Sequence, residues 1–163
     1  MSLWNELIKL RDSQIAEWAQ SKKVVSFEDL PWEVNPEGKM RWYLSPVLHP
    51  KSFNTGIIYV LEIPPGSRSG KMLRQGGWAL YIWAGRGYSI VNDQRYDWEE
   101  DDMFLLPVTA QGNVFQHFNT DPANPARILA FAPNLTDCLG VEGGVGFEAL
   151  EPCPEYQAGG GTP

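Results

Sequence analysis

Apolar and polar positions along the chain change their period near residue 36. Over residues 3–22, Trp4, Leu7, Ile8, Ile15 and Trp18 recur at intervals that bring them near one side of a helix, with Glu6, Arg11, Asp12 and Lys22 elsewhere. Ser2 stands in the N-cap position before this run. The segment PWEVNP (31–36) ends any helix, because proline has no amide proton and crowds the preceding turn. Beyond it the pattern shortens to alternation. Residues 40–47, 56–63, 78–83, 88–92, 95–98, 103–107, 113–119 and 126–133 are short runs rich in β-branched and aromatic side chains, each bounded by Gly, Pro, Asn or Asp. Asn92-Asp93 between two such runs predicts a tight hairpin, since both residues tolerate positive φ. Strands at this spacing, with no helical segment between them, predict an all-β sandwich or barrel carrying an N-terminal amphipathic helix. The expected organisation is helix and linker over 1–35, barrel over 36–136, and an extension with a flexible Gly-rich tail over 137–163.

Composition narrows the class. A chain of 163 residues with 43% hydrophobic and 20% charged residues suits one globular core. Seven Trp, six Tyr and seven Phe are a heavy aromatic load, expected of an aromatic core or of a cavity that stacks flat ligands. The formal charge of −7 argues against nucleic acid or an anionic membrane as partner. The opening MSLWNELIKL lacks a secretory pattern, and no apolar run approaches the roughly 20 residues that span a bilayer. A cytoplasmic protein is therefore expected. Cys138 and Cys153 are expected as idle thiols, to be paired only in an exported chain.

Three segments carry further information: IPPGSRSGK from Ile63, YIWAGRGYSIVNDQRYDWEEDDMFLLP from Tyr81, and GNVFQHFN from Gly112. Between about Ile63 and Pro133 the chain resembles a cupin, the double-stranded β-helix or jelly-roll barrel. It is most similar to single-domain conserved-barrel cupins of the gentisate-dioxygenase type. The matching features are a Pro-Gly turn, a strand ending in Gly-x-Gly, an acidic turn before a strand ending in Pro, and a second motif ending in Asn. The resemblance implies a homodimer, and a divalent metal held by His-x-His, a Glu four residues on, and a later His. Carried onto this chain, those ligand positions are Met72, Arg74, Trp78 and Phe115, and all four are replaced. The trailing Asn is kept as Asn119.

Divalent iron, manganese, zinc and nickel require imidazole, carboxylate or thiolate donors. Arg74 is a fixed cation without a lone pair, so it repels such an ion. No metal and no cofactor are expected. A shifted site using His117, His49 and Glu62 is the remaining metal alternative, with an aromatic-ring-cleaving dioxygenase as the function it would serve.

Strand alternation brings Trp78, Leu80 and Ile82 to one side, joined by Met72, Arg74, Phe115 and His117 from neighbouring strands. With Asn119 these residues form the expected ligand pocket. Arg74 would pair a ligand anion, or else an internal carboxylate. Trp78 and Phe115 would stack an aromatic ligand, or simply fill the vacated metal cavity. The expected function is a metal-free cupin that binds a small anionic or aromatic molecule as sensor, carrier or accessory protein. The alternative is a metal-independent isomerase, epimerase or lyase, with His117 as acid or base and Arg74 on a developing oxyanion. The apolar surplus of the N-terminal helix and of WYLSPVLHP adds support for a homodimer.

Overall fold

The computed structural model describes residues 2–53, 55–134 and 148–157. Expectations for Cys138, for most of the C-terminal extension and for the end of the Gly-rich tail lie outside these residues.

The chain opens with α1 (Leu3–Gln20), then a single 3₁₀ turn (Phe27–Asp29). The strands are β1 (Glu33–Val34), β2 (Lys39–Leu44), β3 (Gly56–Ile63), β4 (Lys71–Arg74), β5 (Trp78–Ala84) and β6 (Arg86–Val91). They continue with β7 (Gln94–Glu99), β8 (Met103–Leu106), β9 (Asn113–Asn119), β10 (Ala126–Pro133) and β11 (Glu148–Glu151). All strand pairings among the described residues are antiparallel. One sheet runs β1-β2-β3-β10-β5-β8, and the facing sheet runs β11-β4-β9-β6-β7. The result is a jelly roll, the fold class expected from the sequence.

Side-chain alternation closes the core between the sheets. Trp78, Leu80 and Ile82 of β5 point inward, facing Phe115 and His117 of β9. Ile57, Tyr59, Leu61 and Ile63 of β3 and Ile128, Ala130 and Ala132 of β10 complete the interior. The β6–β7 hairpin turns at Asn92 and Asp93, with φ of 46° and 66°. At Gly87 a side chain is impossible, because a Cβ would sit 1.9 Å from the Phe118 carbonyl oxygen and 2.6 Å from the Trp98 ring.

Ser2 holds the expected N-cap position, with extended φ and ψ. Ser2 makes no side-chain cap bond; its carbonyl accepts from the Glu6 N–H at 3.2 Å. The helix is present but buries none of its residues. Leu3, Trp4, Leu7, Leu10 and Ile15 remain exposed. What tethers α1 is Glu17, whose Oε1 lies 2.5 Å from His49 Nδ1 and accepts from the Lys51 backbone N–H at 3.1 Å. No helix among the described residues is long and apolar enough to cross a membrane.

Candidate functional site

Register fixes the inward set. Met72 and Arg74 of β4 pair with Phe115 and Asn113 of β9, and both are buried. With Trp78, Leu80, Ile82, Phe115 and His117 they share the barrel interior. No bulge interrupts β4 against β9, so alternation carries the Arg74 guanidinium into the core.

There the cation meets a carboxylate of its own chain. Arg74 Nη2 donates to Glu37 Oε2 at 2.5 Å, with both side chains buried. Tyr59 donates its hydroxyl to Glu37 Oε1 at 2.8 Å. Arg74 Cζ lies 4.0 Å from the Trp78 ring centroid, and Trp78 in turn packs edge-on against Tyr59. Burial, then the Glu37 carboxylate, push the Tyr59 hydroxyl well above its usual range, so it stays a donor. Of the two partners open to Arg74 in the sequence, an internal carboxylate is the one present.

Glu37 was not singled out by sequence reasoning. Its position comes from the β1–β2 hairpin. Asn35 Oδ1 accepts from the backbone N–H groups of Glu37 and Gly38 at 3.0 and 3.2 Å, and the Asn35 N–H donates to the Gly38 carbonyl at 3.0 Å. This Asx-type turn aims Glu37 inward. The signal for it in the sequence is the Asn-Pro-Glu-Gly turn of PWEVNPEGK, which overlaps the helix-ending PWEVNP segment.

Beside this cluster the barrel opens into a cavity of about 510 Å³. Its walls are apolar: Met40 and Trp42 from β2, Ile57 from β3, Met72 from β4, and Val47 from the following loop. Its polar groups come from the β1–β2 hairpin, namely Glu33, Asn35 and Glu37, with Ser45 at the loop. Glu33 Oε1 accepts from Asn35 Nδ2 at 2.9 Å and from Trp42 Nε1 at 2.8 Å. Of the expected pocket residues, Met72 alone lines this cavity.

The others serve the core around it. Trp78, Leu80, Ile82 and Phe115 belong to the hydrophobic cluster. His117 Nδ1 lies 2.6 Å from Ser89 Oγ, which also accepts from Trp98 Nε1 at 2.8 Å. Burial, reinforced by the Arg74 charge, pushes the His117 pKa down to about 3. The imidazole is therefore neutral near pH 7 and has no second proton to donate. Asn119 is a clamp. Its amide donates to the carbonyls of Ile63, Pro64 and Asn124 at 3.1, 3.0 and 2.9 Å, and its oxygen accepts from the Asp121 N–H at 2.9 Å.

The shifted metal set does not converge. His49 sits at the surface on Glu17. Glu62 is held by Lys39 at 2.7 Å and by Arg127 at 2.9 Å. Burial would raise the Glu62 carboxyl, but these two cations outweigh it and lower its pKa. Glu62 alternates with the inward Leu61 and Ile63 and so faces away from His117. Among the described residues no group of three or more His, Cys, Asp or Glu side chains could hold a metal ion. Cys153 is a free, buried thiol.

No protein-family model matches the chain, and no curated protein does. Solved structures do match. The polyketide cyclase RemF from Streptomyces resistomycificus superposes with a TM-score of 0.57 at 17% identity, over 69% of this chain and 80% of that one. Pac13 of Streptomyces, solved with uridine, gives 0.52 at 11% identity, over 69% and 83%. A cupin-2 domain from Rhodospirillum rubrum gives 0.52 at 17%, over 68% and 74%. The chain thus has the cupin fold. It carries non-ligating side chains at the four positions where the resemblance calls for metal ligands.

Proposed function

We propose that this protein binds a small organic molecule with a flat, largely apolar body in the cavity beside the β1–β2 hairpin, and acts as a sensor, carrier or accessory protein. The observation that carries this reading is the cavity itself. About 510 Å³ of space with apolar walls and a few fixed polar groups is the usual make-up of a small-molecule site. The fold neighbours lend support, since Pac13 has been solved with uridine. Arg74 is engaged by Glu37, and the cavity wall offers carboxylates, so the reading favours an aromatic or apolar ligand over an anion.

A second reading is a metal-independent isomerase, epimerase or lyase. Glu37 favours it, being a carboxylate on the cavity wall held between a guanidinium and a phenol. It resembles in kind the activities of two fold neighbours, a polyketide cyclase and a nucleoside dehydratase. In this reading Glu37 replaces His117 as the acid–base group. A homodimer is proposed as well, formed over the exposed apolar face of α1.

The test is a thermal-shift and tryptophan-fluorescence screen of small aromatic compounds, repeated on Ile57→Trp, which fills the cavity from its β3 wall. Hits should stabilise the parent chain and be lost in Ile57→Trp. Hits that persist undiminished in the filled variant would rule out the cavity as their site.

A further inference from the structure

We propose that the cavity selects an organic cation, an amine or quaternary ammonium group borne on the small apolar body just described. The inference rests on the cavity being a ligand site and adds the charge of its ligand.

Two carboxylates line the cavity, and their circumstances differ. Glu37 has its charge matched by Arg74 at 2.5 Å. Glu33 does not. Both of its bonds come from neutral donors, the Asn35 amide and the Trp42 indole, and both fall on Oε1. Among the described residues no ion pair includes Glu33. The sequence extends this point to the whole chain. All 13 Lys and Arg residues lie among the described residues, and neither 135–147 nor 158–163 contains Lys, Arg or His. The chain has no further cationic side chain to bring to Glu33.

A half-buried carboxylate facing an apolar cavity attracts a cation more strongly than one in open water, because the surroundings screen less. The wall beside it suits the same guest. Trp42 is tied to Glu33 through its N–H, and an indole is the best aromatic partner for an ammonium group. Met72 supplies a soft, polarisable contact for methyl groups on a quaternary nitrogen. An anion would face two carboxylates, with Arg74 already bound to one of them.

The experiment compares three probes of similar body: benzyltrimethylammonium, benzyl alcohol and benzoate, by calorimetry and tryptophan fluorescence. The cation is expected to bind about tenfold tighter than the alcohol, the scale of one partly desolvated cation–π and charge contact, with benzoate weakest. Glu33→Gln keeps an oxygen for Trp42 and Asn35, so it should reduce that preference to about twofold. A measurement on the parent chain needs no variant. Benzylamine should lose its advantage over benzyl alcohol as pH rises and it becomes neutral. Benzyl alcohol or benzoate binding as well as the cation would overturn the charge inference alone. So would a preference that survives Glu33→Gln or deprotonation of benzylamine. No binding by any of the three would remove the cavity reading together with it.

Discussion

Trp98 donates to Ser89, and the Ser89 hydroxyl hydrogen is then free to point at His117 Nδ1, 2.6 Å away. That chain suits a neutral ring with its proton on Nε2, in keeping with a pKa near 3. The consequence for stability has a definite sign. Between about pH 6.5 and pH 3 the unfolded chain binds a proton at His117 that the folded chain refuses. Stability is therefore full above this window and falls as pH drops through it, by at most about 1.4 kcal/mol per unit. His117→Gln should flatten that slope. Urea midpoints measured from pH 7 down to pH 5, above the range where most carboxylates titrate, will show it. An unchanged slope would assign the acid sensitivity to another group. At this scale the sequence was informative in part. Arg74 could be recognised as a buried cation needing an anion, but nothing near it identified Glu37, which lies 37 residues away along the chain. Asn119 carried the family's position, yet its amide ties together a turn that becomes visible only once β9 and β10 are in place.

Among the elements, β3, β9 and β10 begin and end where alternation and bounding residues predict. Their β-branched and aromatic runs are long enough to define a face. The two-residue β1 and the all-exposed β11 are absent from the predicted runs, and β4 enters only through its inward residues Met72 and Arg74. Pairing with neighbours defines them, and pairing cannot be read from local sequence. That omission also hid the site, since β1 and its turn supply Glu33, Asn35 and Glu37 to the cavity. The β6–β7 hairpin was legible because positive φ leaves few residues eligible. Asn92 additionally accepts from the Val114 N–H at 2.9 Å, fastening the hairpin to β9. Asn92→Ala should cost about 1–2 kcal/mol through the lost bond and the strained φ. Asp93→Gly should gain up to about 1 kcal/mol, since glycine adopts φ of 66° without strain. Opposite shifts in thermal midpoint are the expected result, and shifts of the same sign would contradict this account of the turn.

For the whole molecule, the unresolved demand is surface. The apolar side of α1 is uncovered, with Trp4 at 71% and Leu7 at 61% exposure, and Val47 is open at 82% on the loop after β2. Exposed apolar surface of this kind marks an interface. A dimer is the expected state in light scattering at micromolar concentration, and Trp4→Glu with Leu7→Glu should shift it toward monomer. A parent chain that is already monomeric would count against the proposal. The formal charge of −7 leaves the remaining surface well solvated.

The Glu37–Arg74 contact also constrains how the molecule is made and cut. Synthesis delivers the acid well before its base, so the first hairpin must wait for β4 before either charge is neutralised. A barrel released by proteolysis after Gly38 would keep the buried Arg74 guanidinium with that counterion gone. Breaking such a buried pair costs about 3–5 kcal/mol, a large share of a small domain's stability. The hairpin that looks like a leader to the fold is in effect one of its keystones.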